Sequence, residues 1–361
     1  MYSVGYTIKN NILLLLTLVS EKIETRILLP AIYECYKKID QQSSSSVQGI
    51  FILLKNACDQ LTEDTIASVY EKAWSFCIMG LELRTKWGVL HGEIDDVEKA
   101  VIEAMISITL KLNENQLTPI FIKTVHWMEE KSSASFSEDS LPPVAKLIPF
   151  LSLVIELSNT FKSIFTHFYN YFYAHLVDYL ALFNKTCKRE KEVTDEQLGL
   201  FKCIKQVVLS LYKCFLYDSN GWMDEEKFKL VSSPLVRCIG SYFVPHYETE
   251  YVKFMNSFIV PTCVQLIIST SGHDDWWQQY NHEVLVQSRS VIQQVKLVAI
   301  RVIRECFERM SQEYLPLLPD VIPFLADLLE DEDADVEKAA QDLRVQLESI
   351  SGEELTSYLT M

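Results

Sequence analysis

PDVIPFLADLLEDEDADVEKAAQDLRVQLESI, residues 319–350, holds two apolar-striped runs separated by an acidic turn. A proline fits the first turn of a helix because its missing N–H has no partner there, so Pro319–Leu329 is expected as one helix. Glu330, Asp331, Glu332, Asp333 and Asp335 form a short acidic turn over 330–335. Val336, Ala339, Ala340, Leu343 and Leu347 then recur at helical spacing in a second helix reaching Ile350. Acids at its start suit the helix dipole and cap free N–H groups.

Both halves of this unit recur upstream. Two apolar residues followed by a proline and a helical pattern stand at Leu28-Leu29-Pro30, Leu117-Thr118-Pro119, Leu147-Ile148-Pro149 and Ile259-Val260-Pro261, as at Leu317-Leu318-Pro319. Each is expected to mark a helix start. Asp96-Val97-Glu98-Lys99-Ala100 repeats literally as Asp335-Val336-Glu337-Lys338-Ala339, and Val97, Val101, Ala104, Met105, Ile108 and Leu112 continue the first copy as one apolar stripe. With only 10 glycines and 11 prolines in 361 residues, the turns of a β or doubly wound fold are missing. The reading is all-α: an α-solenoid, or superhelix, of short antiparallel helix pairs. Polar clusters at 41–46, 132–140, 187–195 and 218–226 are expected as loops, with the serine-rich 132–140 segment a flexible connection.

The net charge is −16, and ten acids against two bases put −8 of it in residues 330–361. Broad binding of a phosphate backbone over the whole surface is not expected from such a chain, and the acidic end suits basic protein partners or solubility better than RNA. Nine cysteines without a CxxC spacing read as buried thiols in a reducing compartment. The apolar run Ile12–Val19 is too short to span a bilayer, no small-residue cleavage site follows it, and it is expected as part of a buried helix. No membrane partner is expected.

Residues that could carry chemistry are few. His167 and His175 flank Phe168, Tyr169, Tyr171, Phe172 and Tyr173; eight residues apart on one helix they stand about 12 Å from each other, too far to share a metal, so a core role is favoured. His273, Asp274, Asp275 and His282 lack a recognised ligand spacing, and an inter-helix turn whose Trp276 and Trp277 anchor the next helix is favoured over a metal site. GxSxG, GxGxxG and the Walker loop are absent. No catalytic residue, metal or cofactor is assigned.

One basic stretch remains. On a helix expected over Val284–Met310, Arg289, Lys296 and Arg304 fall within about 80° of one another, with Arg301 beside them. They form a stripe for a phosphate or an acidic partner. Glu305 and Glu308 stand four residues after Arg301 and Arg304, so an internally paired, solvated face is the plainer reading. The acidic turn Glu330, Asp331, Glu332, Asp333 and Asp335 is the second candidate for binding a partner.

The proline-led first helix, Asp-rich turn and valine-plus-alanine second helix of 319–350 resemble the HEAT repeat. Glu337 stands where HEAT repeats usually carry arginine, which removes the usual rung of an Asp–Arg ladder and fits a terminal cap with a polar outer face. VIEAMISITLKL (101–112), LTPIFIKTVHW (117–127), LSLYKCFLYD (209–218) and LPLLPDVIPFLADLLEDE (315–332), in that order, resemble the C-terminal region of the large HEAT-repeat nucleolar scaffold of the small-subunit processome, the U-three small-nucleolar-RNA-associated protein ten family. His126 stands where that family commonly has an acid. Members are several times longer, so the chain is expected to be a C-terminal fragment or truncated product. The resemblance implies three regions: N-terminal HEAT-like helices at 1–70, the family's C-terminal signature domain at 71–230, and terminal HEAT-like repeats at 231–361.

It also implies a nuclear, nucleolar, non-catalytic scaffold for small-subunit rRNA processing, linked to transcription by RNA polymerase I. Its partners would be processome proteins, among them WD-repeat subunits of the early rRNA-leader-binding subcomplex. Pre-rRNA and small nucleolar RNA would be held indirectly. The alternative is a HEAT-repeat nuclear transport receptor or another protein-binding adaptor, also acidic and free of catalytic motifs.

Overall fold

In a computed structural model, the structure describes residues 2–40, 42–130, 141–186, 194–241 and 248–356. The serine-rich segment 132–140 and most of the 187–195 loop lie outside the described residues. The helices are α1 (Tyr2–Lys22), α2 (Thr25–Lys38), α3 (Ser44–Asp59), α4 (Glu63–Ile66), α5 (Tyr70–Leu81), α6 (Leu83–Trp87), α7 (Ile94–Thr109), α8 (Glu114–Glu129) and α9 (Val144–Phe161). They continue as α10 (Tyr173–Thr186), α11 (Asp195–Leu216), α12 (Glu225–Arg237), α13 (Glu248–Phe254), α14 (Val260–Ser269), α15 (Trp277–Gln287), α16 (Gln293–Met310), α17 (Leu318–Leu329) and α18 (Ala334–Ser351). No strand occurs among the described residues, and packing divides the chain into two units, 1–157 and 158–361.

In the first unit α2 pairs with α3 and α5 with α7, and α3 lies against α7. Gly80 of α5 sits where the three meet: a Cβ there would come within 2.5 Å of the Phe51 ring and 2.8 Å of Val101. Phe121 and Phe150 bring α8 and α9 together, their rings 5.9 Å apart. Two tryptophans tie the unit further. Trp74 Nε1 donates to Thr124 Oγ1 at 2.8 Å, and Trp127 Nε1 to Glu82 Oε2 at 2.5 Å.

The second unit is a two-layer stack. α10, α12, α15 and α17 follow one another in one layer, α11, α14, α16 and α18 in the other, and α10/α11, α12/α14, α15/α16 and α17/α18 join the layers. Buried tyrosines stitch it by donating to backbone carbonyls: Tyr169 to Ser210, Tyr173 to Lys227, Tyr251 to Ile239 and Tyr280 to Cys263, at 2.7–3.1 Å. A phenol in a core must find such an acceptor, so each bond fixes the register of one element on another.

Several expectations need correction. Pro30, Pro119 and Pro149 do not start helices; each is the sixth residue of its helix. At α8 the true start is a capping signal. Asn113 accepts from the Gln116 N–H while Gln116 Oε1 accepts from the Asn113 N–H, both at 3.1 Å, and this box satisfies the orphan donors a turn before the proline. Pro261 does open α14, but the chain arrives already coiled through a π turn at Met255–Ile259, where a proline N–H is not available to close a regular turn. The helix expected over 284–310 is two helices, broken at 288–292, where Ser288 Oγ donates to the Leu285 carbonyl at 2.6 Å and Ser290 Oγ accepts from the Ile292 N–H at 3.2 Å. His167 and His175 are not on one helix either. Residues 166–171 are 3₁₀, and α10 starts at Tyr173.

The run Ile12–Val19 is helical but not buried: Ile12, Leu14, Leu15 and Leu18 are half or more exposed, because α1 packs on α3 along one flank. Of the eight described cysteines, Cys35 is exposed and seven are buried; burial pushes the Cys58 and Cys263 thiols up to about 12. By length and composition, 144–164 and 249–269 could cross a membrane, yet 56% and 50% of these windows are buried inside the protein.

Candidate functional site

The last helix pair follows the sequence closely. α17 and α18 are within two residues of the expected spans, and Asp333 caps α18 by accepting from the N–H groups of Asp335 and Val336 at 3.0 and 3.2 Å. The turn between them is therefore shorter than 330–335, since Asp335 already lies in the helix.

The structure brings the two candidate charge groups together. Arg289, in the turn between α15 and α16, donates through Nε and Nη2 to Asp327 at 3.1 and 2.7 Å, and its guanidinium lies 4.1 Å from the Phe324 ring centroid. Lys296 pairs with Asp331. Gln293 Nε2 donates to Asp333 Oδ1 at 2.8 Å, and this bond holds the Asp333 carboxyl below its ordinary value. Basic and amide groups of one repeat thus meet the acids of the next, a ladder made without the missing arginine at 337. An exposed pair such as Arg289–Asp327 is worth about 0.2–1 kcal/mol.

The other members are placed differently. Arg301 pairs with Glu305 in its own helix at 2.8 Å. Arg304 has no acid within ion-pair distance among the described residues and lines a groove with Tyr212, Gln265, Glu308 and Arg309. Glu330 and Glu332 point outward, exposed.

Of the residues considered for chemistry, Phe168, Tyr169, Phe172 and Tyr173 are core. Trp277 is fully buried and donates to Thr270 Oγ1 at 2.9 Å, anchoring α15, while His273 stacks on Trp276. Among the described residues no group of three His, Cys, Asp or Glu could hold a metal.

One charged site escaped the sequence. Arg84 is fully buried, donating through Nε and Nη2 to the two carboxylate oxygens of Glu98 at 2.6 and 2.7 Å and through Nη1 to the Val89 carbonyl at 2.7 Å; Asp95 completes its shell. Burial disfavours the guanidinium charge, but the two acids outweigh it and raise its pKa. All three residue types look like surface charge in a sequence, and no spacing motif marks them. Their arrangement clamps the 88–93 turn between α6 and α7, with Arg84 and Glu98 buried and Asp95 at the surface.

The fold defines a class, the α-solenoid of HEAT-like antiparallel helix pairs. Within that class the BP28CT (NUC211) domain matches residues 65–223, the range that contains the Arg84 clamp and both tryptophan ties. The chain is 29% identical over 95% of its length to an uncharacterized Arabidopsis thaliana protein, 26% identical over 92% to human HEAT repeat-containing protein 1, and 23% identical over 96% to U3 small nucleolar RNA-associated protein 10 of Schizosaccharomyces pombe. It spans 16%, 15% and 20% of those three proteins. The resemblance to the HEAT-repeat, U-three small-nucleolar-RNA-associated protein ten family is borne out along nearly the whole chain.

Proposed function

We propose that the chain is a non-catalytic scaffold segment in ribosome biogenesis, part of a small-subunit processome component that supports processing of small-subunit rRNA and is linked to RNA polymerase I transcription. The observation that carries this reading is the match over more than nine tenths of the chain to proteins named for HEAT repeats and for U3 small nucleolar RNA. A stack of helix pairs supports it, because each pair adds outward surface without a closed pocket. On this reading the protein is nuclear and nucleolar. It holds WD-repeat subunits of the early rRNA-leader-binding subcomplex, and pre-rRNA and small nucleolar RNA are reached through these neighbours.

Glu330 and Glu332, exposed on the acidic turn, are the acids we assign to a basic protein partner; Asp331, Asp333 and Asp335 hold the ladder. Arg289 and Lys296 serve the stack, which leaves Arg304 as the outward cation of that group.

Affinity purification of the tagged chain tests the reading. Recovery of WD-repeat processome subunits with pre-rRNA supports it. Nucleotide-dependent recovery of a small GTPase, with no pre-rRNA, would replace it with the nuclear transport receptor.

A further inference from the structure

Cations without acid partners gather on one side of the second unit. α11, α14 and α16 lie side by side, and α10, α12 and α15 cover the opposite side, which leaves one side of the three helices open. A groove of about 290 Å³ runs there across all three helices, from Tyr212 past Gln265 to Arg304 and Arg309. Arg304 and Arg309 have no ion-pair partner among the described residues. Glu305 is held by Arg301, which leaves Glu308 as the acid in the groove.

The same side of α11 continues the pattern. From residue 197 to 217 it carries three lysines and no acid. Lys213 stands 5.8 Å from the Tyr212 and Tyr217 ring centroids, and Lys205 lies 4.4 Å over Phe201. Lys205 and Phe201 line a separate pocket with Phe183 of α10 and Glu250 and Tyr251 of α13. The open side thus carries Lys213, Arg304 and Arg309 against one uncommitted acid among the described residues, Glu308. The chain as a whole has 49 acids to 33 basic residues. Such a reversal is stable only at modest cost in water and becomes favourable against a polyanion, whose counterions are released on binding.

We propose that the open side of α11, α14 and α16 binds single-stranded RNA, with Lys213, Arg304 and Arg309 on successive phosphates and the Tyr212 ring stacked on a base. The half-exposed Tyr212 ring decides between polyanions. An acidic peptide would use the cations and leave the ring idle, and a duplex would keep its bases out of reach, whereas an unpaired strand uses both. The contact adds a direct RNA interaction to the scaffold reading. It is tested with the purified chain alone, so its failure is separate from failure to enter a particle.

The experiment is fluorescence anisotropy with a labelled oligouridine of about twenty nucleotides, titrated between 50 and 200 mM salt. Wild type is expected to bind, with affinity falling steeply as salt rises. Lys213→Ala/Arg304→Ala/Arg309→Ala should weaken binding at least tenfold and flatten the log–log salt slope by about 2, from roughly 0.7 per phosphate contact. Tyr212→Ala should cost about 5- to 100-fold and Tyr212→Phe little, because the ring and not the hydroxyl stacks. Arg289→Ala/Lys296→Ala, which removes cations already engaged by acids, should bind as wild type. Absence of binding at 50 mM salt overturns the proposal, as does a triple variant of native circular dichroism and melting that binds normally. Competition by polyglutamate or by duplex RNA as strong as by oligouridine also overturns it, in favour of an acidic protein or a shape-only contact.

Discussion

The string Asp-Val-Glu-Lys-Ala occurs twice, in α7 and in α18, and does two different jobs. In α7 Val97, Glu98 and Ala100 are all buried, and Glu98 neutralises Arg84 in the core. In α18 Val336 is buried while Glu337 faces solvent. The helical phase is the same and the surroundings differ. α7 is flanked by α3, α5 and α6, whereas α18 packs on α16 and α17, so one side of the last helix stays wet. Sequence repetition fixes which positions point inward; the number of neighbouring helices fixes what happens to the rest.

The largest effect should come from breaking that contrast at its glutamates. Glu98→Gln leaves the buried guanidinium only the half-exposed Asp95 as counter-charge and should lower stability by about 3–5 kcal/mol, while Glu337→Gln should change it by less than about 0.5 kcal/mol, both read from urea unfolding. Equal effects would mean that the Arg84 clamp is not a closed site. Gly80→Ala sharpens the interior half of the comparison. Its new methyl meets Phe51 and Val101, and a loss of about 1–3 kcal/mol is expected, with Gly49→Ala, where a Cβ meets nothing within 4 Å, serving as the mild control.

Smaller again is the ladder. Arg289→Ala should cost about 0.2–1 kcal/mol and less at high salt, because the Asp327 pair is exposed. A value near that of Glu98→Gln would show that exposure does not separate the two regions.

The least effect is a pH dependence. The Asp333 carboxyl is held below its ordinary value by Gln293 and by the α18 N–H groups, so its contribution is present above the unfolded carboxylate pKa and is lost as pH falls through the folded one. Asp333→Asn keeps a cap but cannot titrate. The difference in Tm between wild type and variant should be largest near neutrality and shrink below about pH 4. A constant difference across that range would remove the carboxylate from the account.

Much of the fold was legible in residues 319–350, where proline, acids and apolar spacing all agree. Legibility failed where two signals competed. Pro119 hid the capping signal one turn upstream, Asn113-Glu114-Asn115-Gln116, which is plain once sought, while Pro30 lies in a helix with no side-chain cap at its start. Continuous helical spacing over 284–310 hid a break made by two serines. Of the candidate groups, the basic stretch and the acidic turn were each visible, but their mutual pairing was not. Arg289 and Asp327, or Lys296 and Asp331, lie 35 to 38 residues apart, about one repeat, and only a repeat register places them side by side. The Arg84 clamp left no trace, since burial of a charge depends on what folds over it.

In the second unit the close packing of each helix pair is with the pairs beside it. Loss of one neighbour is then felt locally, and the α17/α18 pair, seated partly through salt-sensitive charges, is the one that added salt loosens most. Such a stack opens like a zipper, one pair at a time, while the other pairs stay shut.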